Sequence, residues 1–231
     1  MPDVPEHEPP SSHTVPEIMH RALCLAGLVE WLSFERDADA RRRHAAHVER
    51  LRTWLEAPPL GASLSPKERK LLHRKPGTWS EADKLNISWR IECIGVLLWA
   101  VQLADALPTY DTQFDHGALT ERLNVGAPIE PLVARARLRS PAELDAAWTE
   151  AERWHWRSVH VRAYFAPQQD ASRRPEMIAL ALDEPVQLFG KPYASLSFQD
   201  FSQAHSIALE RHYAFNWLFD GDPWDEVSTD T

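Results

Sequence analysis

Apolar positions along most of this chain recur at intervals of three and four residues. After a Pro-rich, acidic lead at 1–13, Ile18, Ala22, Leu25, Val29 and Leu32 repeat at helical spacing. In front of them stands Thr14-Val-Pro-Glu17, with a capping hydroxyl, a proline in the first turn and a carboxylate three residues on. A second helix is predicted from about Asp37 to Ala57, ended by Pro58-Pro59. Ser65-Pro-Lys-Glu68 repeats the capping pattern and opens a short helix that stops near Lys75-Pro-Gly77. From Ser80 a long helix is predicted to reach Leu107, where Pro108 forbids continuation. Residues 108–128 read as loop around a short helix at 115–123, and another short helix is expected over 129–138. Ser140-Pro-Ala-Glu143 opens a long helix to about Phe165, and a last helix runs from about Phe198 to Phe219. Between these two the period changes. Ile178, Leu180 and Leu182 alternate, Val186 and Leu188 follow, and Gly190 offers a turn, so a small β-hairpin is admitted near 176–190. The expected architecture is mainly α: a single-domain helical bundle of about five to seven helices over 14–231, behind a disordered segment 1–13.

The helix predicted from Ser80 is central to this picture. Beyond Ile91 its apolar residues point in nearly every direction, which requires burial on most sides. Arg90 and Glu92 stand where it enters the core. Two other helices carry polar residues on apolar faces. In the last one, Phe201, His205, Ala208, His212, Phe215 and Phe219 share an arc, with Arg211 at its edge. In the helix opened by Ser140, Leu144, Trp148, Ala151, His155, Val159 and Arg162 share a face. A buried arginine stripped of its partner costs about 3–5 kcal/mol, so it needs a carboxylate. Glu92 is the one placed to pair with Arg211 or Arg162. Arg90, Glu92, His155, Arg162, Arg211 and His212 therefore form a candidate polar cluster. It reads either as an acid–base or anion-binding site or as a hydrogen-bonded structural core. For Arg162 a third arrangement exists, with the stem packed and the head in water.

Composition narrows the function classes. With 231 residues, 44% apolar and 26% charged, the chain can bury one large core. Ten tryptophans imply dense aromatic packing or a concave aromatic surface. A net charge of −9 argues against non-specific binding to nucleic acid or to an anionic membrane, and permits a basic protein partner. The longest apolar run, 93–107, is interrupted by Gln102 and Asp105 and is too short to span a bilayer. Cys24 and Cys93 lie in apolar stretches without motif spacing, as expected of a cytoplasmic, reduced protein. The sequence contains no Gly-rich phosphate loop, no His-Glu-x-x-His, no Gly-x-Ser-x-Gly and no Cys-x-x-Cys. His44 and His47 have metal-compatible spacing but no completing ligand nearby, and His205 and His212 are about 10.5 Å apart along a helix axis. No metal and no cofactor is expected.

The C-terminal stretch combines Trp217 and Trp224 with a run of acids. Asp220-Gly-Asp222 begins like a calcium loop, but Pro223 and Trp224 interrupt the alternating oxygens such a loop needs. A clasp is the better expectation. Gly221 and Pro223 turn the chain, Trp224 returns to the core, and Asp225 caps a backbone group or meets an arginine.

The ordered set of short motifs resembles one family. Arg21-Ala-Leu-Cys-Leu, Ser65-Pro-Lys-Glu68, Trp89-Arg-Ile-Glu92 leading into Val96-Leu-Leu-Trp-Ala100, Leu107-Pro108, Trp156-Arg157, Glu210-Arg-His-Tyr-Ala-Phe-Asn-Trp217, Trp224-Asp225 and Asp230-Thr231 are similar to the family catalogued as domain of unknown function 4272, found mainly in bacteria. The resemblance spans about residue 17 to the end and implies that the clasp is part of the domain. It carries no activity, cofactor or catalytic residue with it. From the residues themselves the expected function is a non-enzymatic binding module for a protein partner or small ligand, such as an immunity-type partner of a basic protein. The alternatives are an enzyme whose polar cluster binds a small anionic substrate, and a scaffold whose ion pairs are purely structural.

Overall fold

The computed structural model of the protein describes residues 11–165, 175–183 and 186–230. Among them are eleven α-helices and one two-stranded hairpin. In chain order the helices are α1 (Val15–Arg36), α2 (Ala38–Arg43), α3 (Ala45–Glu56), α4 (Leu60–Ser63), α5 (Pro66–Leu72), α6 (Glu81–Ala100), α7 (His116–Leu123), α8 (Glu130–Arg135), α9 (Pro141–Phe165) and α10 (Pro175–Asp183). Strands β1 (Gln187–Leu188) and β2 (Lys191–Pro192) follow, then α11 (Phe198–Asp220). Five of the helices, α1, α3, α6, α9 and α11, have twelve residues or more, and six short ones connect them.

The starts of the long helices follow their capping chemistry. Thr14 and Glu17, Ser65 and Glu68, and Ser80 and Asp83 form reciprocal capping boxes, and Ser140 and Glu143 exchange the same bonds before α9. The mainly α architecture with its small hairpin is as the patterning leads one to expect, with differences in detail. The helix expected over 37–57 is broken at His44 into α2 and α3. α6 ends at Ala100, seven residues before Leu107. Gln102 takes a positive φ of 60°, and Leu103 and Ala104 both turn their amides back to the Leu98 carbonyl. Arg139 then covers the exposed helix end. Its guanidinium donates to the carbonyls of Trp99 at 2.8 Å, Ala104 at 3.2 Å and Asp105 at 3.2 Å, and lies over the Trp99 ring.

The hairpin is real but displaced from its expected place near 176–190. Gln187 pairs with Pro192 and Leu188 with Lys191, and Phe189 and Gly190, at φ 53° and 69°, supply the two left-handed turn residues of a tight hairpin. The alternating stretch with Ile178 and Leu180 forms α10 instead. The alanines and leucines of that stretch are strong helix formers, and Ala181 is the residue that turns inward while Leu180 stays 58% exposed.

α6 occupies the centre, between α1 on one side and α11 on the other. α9 packs along α11, and α10 along α9. Ile91, Cys93, Ile94, Val96, Leu97 and Leu98 are all buried, and each large aliphatic side chain contributes roughly 1.5–3 kcal/mol. Gly95 lets the ring of Phe114 lie against the α6 backbone, since a Cβ there would meet that ring at 2.2 Å.

Both ends of the described chain close on α11. Residues 1–10 of the expected disordered lead lie outside the described residues. Ser11, Ser12 and His13, also placed in that lead, are fixed in the fold. Ser11 Oγ and the Ser12 amide donate to the Leu218 carbonyl at 2.9 Å, and His13 stacks on Trp217 at 3.8 Å between centroids. At the other end Gly221, at φ 72°, terminates α11. Trp224 returns to the body, 6% exposed, edge-on to Trp217 and Tyr213. The guanidinium groups of Arg21 and Arg90 lie over its ring at 4.9 and 5.5 Å. Asp225 accepts from the Lys67 backbone amide at 2.8 Å and so caps the first turn of α5. The Asn216 side-chain amide holds the Ser228 carbonyl at 2.8 Å. The clasp formed by Trp217, Trp224 and Asp225 thus ties α1, α5 and α11 together.

Candidate functional site

The residues of the candidate polar cluster fall into three separate groups, and one of them stands apart. Glu92 and Arg211, on α6 and α11, form a sealed ion pair, 0% and 1% exposed, with Arg211 Nε donating to Glu92 Oε2 at 2.9 Å. Both partners also order a loop. Phe114 N donates to Glu92 Oε1 at 3.0 Å. Arg211 donates to the carbonyls of Pro108 and Thr112, and its guanidinium lies between the rings of Tyr110 and Phe114 at 4.9 and 5.1 Å. Segment 108–114 therefore wraps the arginine. Burial pushes the Glu92 carboxyl above its usual range, opposed by the Arg211 charge and the Phe114 amide.

The second group is histidine-rich. His155 on α9 and His212 on α11 are 3% and 2% exposed and face each other, Nδ1 to Nδ1, at 3.0 Å. One of the two Nδ1 atoms must carry the proton. Half-buried His205 contacts Ser158 Oγ through Nδ1 at 2.8 Å, and the Ser158 hydroxyl donates to the His155 carbonyl at 2.8 Å. With that proton on the carbonyl, His205 is the donor to Ser158. A serine so arranged is not an activated nucleophile, and at 2% exposure it meets no substrate. Burial pushes all three histidines down to about 4, so they are neutral at pH 7.

The third group forms around Arg90. It pairs with Glu210 at 3.0 Å, while the Cys93 thiol donates to the same carboxylate at 3.1 Å. Burial raises the Cys93 thiol far above the range of a reactive thiolate. Arg162 makes no hydrogen bond or ion pair to any of the three groups, although its charge lies near enough to His205 to add to the lowering by burial. It lies exposed on α9, in keeping with the arrangement that leaves the guanidinium in water. Among the described residues no set of three or more His, Cys, Asp or Glu side chains is arranged to hold a metal ion. Nor is any described helix long and apolar enough to cross a membrane.

Two buried carboxylates escape the sequence pattern. Glu68, the partner of Ser65 in its capping box, also pairs with buried Arg21. Glu35 accepts from Trp31 Nε1 at 3.0 Å and from the amides of Gly77 and Trp79 at 2.9 and 3.0 Å, pinning the turn before α6.

The open surface lies elsewhere. A groove of about 740 Å³ runs between α1, the first half of α6 and the first half of α11. Its floor is Val29, Leu32, Ile91 and Phe114, with Leu85 and Trp89 on one wall. Gln199, Ser202, Gln203 and Ser206, spaced three and four apart on α11, form the facing wall. No carboxylate lines it, and Arg36 and His116 are its ionisable groups. Leu85, 57% exposed just beyond the first turn of α6, is the sequence signal that could have located it.

No curated protein and no solved structure matches the chain. A family model described as domain of unknown function matches residues 1–181, which contain α1 to α9, Glu92 and His155. α11 and the clasp lie beyond the matched range, although the resemblance read from the sequence extends to the end of the chain. Their membership in the domain rests on packing: the Glu92–Arg211 pair and the seat of Trp224 join them to the matched part. With more than half of its length matched, the chain belongs to the DUF4272 family.

Proposed function

We propose that the protein is a non-enzymatic binding module that seats an apolar, uncharged segment of a protein partner in the groove between α1, α6 and α11. The observation that carries this reading is the chemistry of the groove. An apolar floor supplies affinity, and a wall of glutamine and serine side chains supplies neutral donors and acceptors for a peptide backbone. The absence of carboxylates from that lining contrasts with a chain of net charge −9. The surrounding negative field would speed the approach of a basic partner, as for an immunity-type protein, while the groove itself would hold the apolar part of the contact. A cytoplasmic location belongs to the same reading and is supported by two unpaired, buried cysteines.

Catalysis draws less support. Glu92, His155, Arg211 and His212 are each no more than 3% exposed and bond to one another or to the backbone, so a substrate would have to displace the core to reach them. A photoreactive benzophenone side chain placed at Ser206 in the native host tests the binding reading. It should cross-link one protein species, a control at exposed Arg50 on α3 should not, and Leu85→Asp should abolish the product. Equal cross-linking from both positions would refute the assignment of the groove.

A further inference from the structure

A smaller pocket, of about 230 Å³, opens between α5, α6 and the clasp, on a surface separate from the groove. We propose that it binds a small organic anion: one phosphate or carboxylate group on a compact apolar body. Four cations line it. Lys67 and Lys70 come from one face of α5, Arg74 from the turn that follows, and Arg90 from α6. With the partners just outside the lining included, Glu210 for Arg90 and Arg21 for Glu68, the cations still exceed the carboxylates by one, in a chain whose total charge is negative.

Each of those carboxylates is already engaged. Glu68 pairs with Arg21 and caps α5. Asp83 caps α6 through Ser80 and accepts from Arg74 at 2.7 Å. Asp225 holds the Lys67 amide. Of the cations, Arg90 is paired with Glu210 and Lys67 Nζ donates to the Asp225 carbonyl at 3.1 Å, while the other two keep donors to spare. Lys70 has no ion pair or hydrogen bond among the described residues, and Arg74 keeps guanidinium N–H groups beyond the one given to Asp83. Leu71, Ile87 and Trp224 supply the apolar part of the lining. The volume falls below the roughly 300–1,000 Å³ of pockets for drug-sized ligands, which restricts the ligand to a small one.

Phenyl phosphate, inorganic phosphate and phenol, titrated calorimetrically at fixed ionic strength, separate the contributions. Phenyl phosphate should bind saturably and more tightly than inorganic phosphate, and phenol should give no isotherm. Lys70→Gln with Arg74→Gln should weaken phenyl phosphate at least tenfold without lowering the melting temperature of the free protein by more than about 2 °C, since both side chains are exposed. Lys70→Gln alone, which removes a charge that has no partner, should still weaken binding and serves as the check if the double variant is less stable. An unchanged dissociation constant in the Lys70→Gln variant, or a linear, non-saturating response in the wild type, would overturn the proposal.

Discussion

Replacing Glu92 by Gln removes one charge from the sealed pair and almost no volume. Arg211 would then be left at 1% exposure with the carbonyls of Pro108 and Thr112 and one neutral amide as partners. Stranding a buried charge in this way costs about 3–5 kcal/mol. Domains are stable by roughly 5–15 kcal/mol, so the loss is about a fifth of the total or more. For a chain of 231 residues, a loss of 1 kcal/mol lowers the midpoint by about 2 °C, so the expected fall is about 6–10 °C by calorimetry. The double substitution Glu92→Met with Arg211→Met removes both charges and should recover most of that loss, since isosteric apolar pairs often replace buried ion pairs without penalty. A shift below about 2 °C in Glu92→Gln, or a double variant as unstable as the sum of the singles, would refute the claim that this pair is a coupled structural unit.

Other perturbations follow from the same geometry. His155, His205 and His212 are neutral in the fold and become protonated on unfolding below about pH 6.5, so the unfolded chain binds more protons between there and pH 4, and stability falls as pH is lowered through that window. The two deeply buried ones contribute up to about 3 kcal/mol each, His13 and His20 act in the same direction, and a urea midpoint that stays constant between pH 6.5 and 5 would contradict this. Trp224→Ala should destabilise by about 3–5 kcal/mol, because it empties a core position and uncovers two guanidinium groups; Asp225→Ala, which removes only a cap, should cost about 1 kcal/mol in the same denaturation series. Arg139→Met should lower stability by about 2 kcal/mol by exposing the carbonyls at the end of α6, and an unchanged denaturation midpoint would show that water replaces the guanidinium there.

What was legible in the sequence was local. The hydroxyl–carboxylate spacings at Thr14, Ser65, Ser80 and Ser140 mark helix starts because the bonds they form span only three residues. The Glu92–Arg211 pairing was legible for a different reason: a buried arginine demands a carboxylate, and few stood on apolar faces. The early end of α6 was hidden because the group that satisfies it, Arg139, arrives from 39 residues beyond Ala100. Glu68 was readable only in its capping role, since its pairing with Arg21 depends on how α1 and α5 pack. Arg162 shares its face with buried residues, and periodicity cannot tell a buried guanidinium from one whose stem alone is covered. The groove escaped notice because its two walls come from helices more than a hundred residues apart.

Segment 108–114 is irregular in its backbone, yet it encloses the most deeply buried ion pair among the described residues. It cannot open without releasing Glu92 and Arg211, and those side chains cannot part without separating α6 from α11. The amide proton of Phe114 should therefore exchange with solvent deuterium only when the whole molecule unfolds, at a rate matching the innermost turns of α6, a protection that surface loops ordinarily lack.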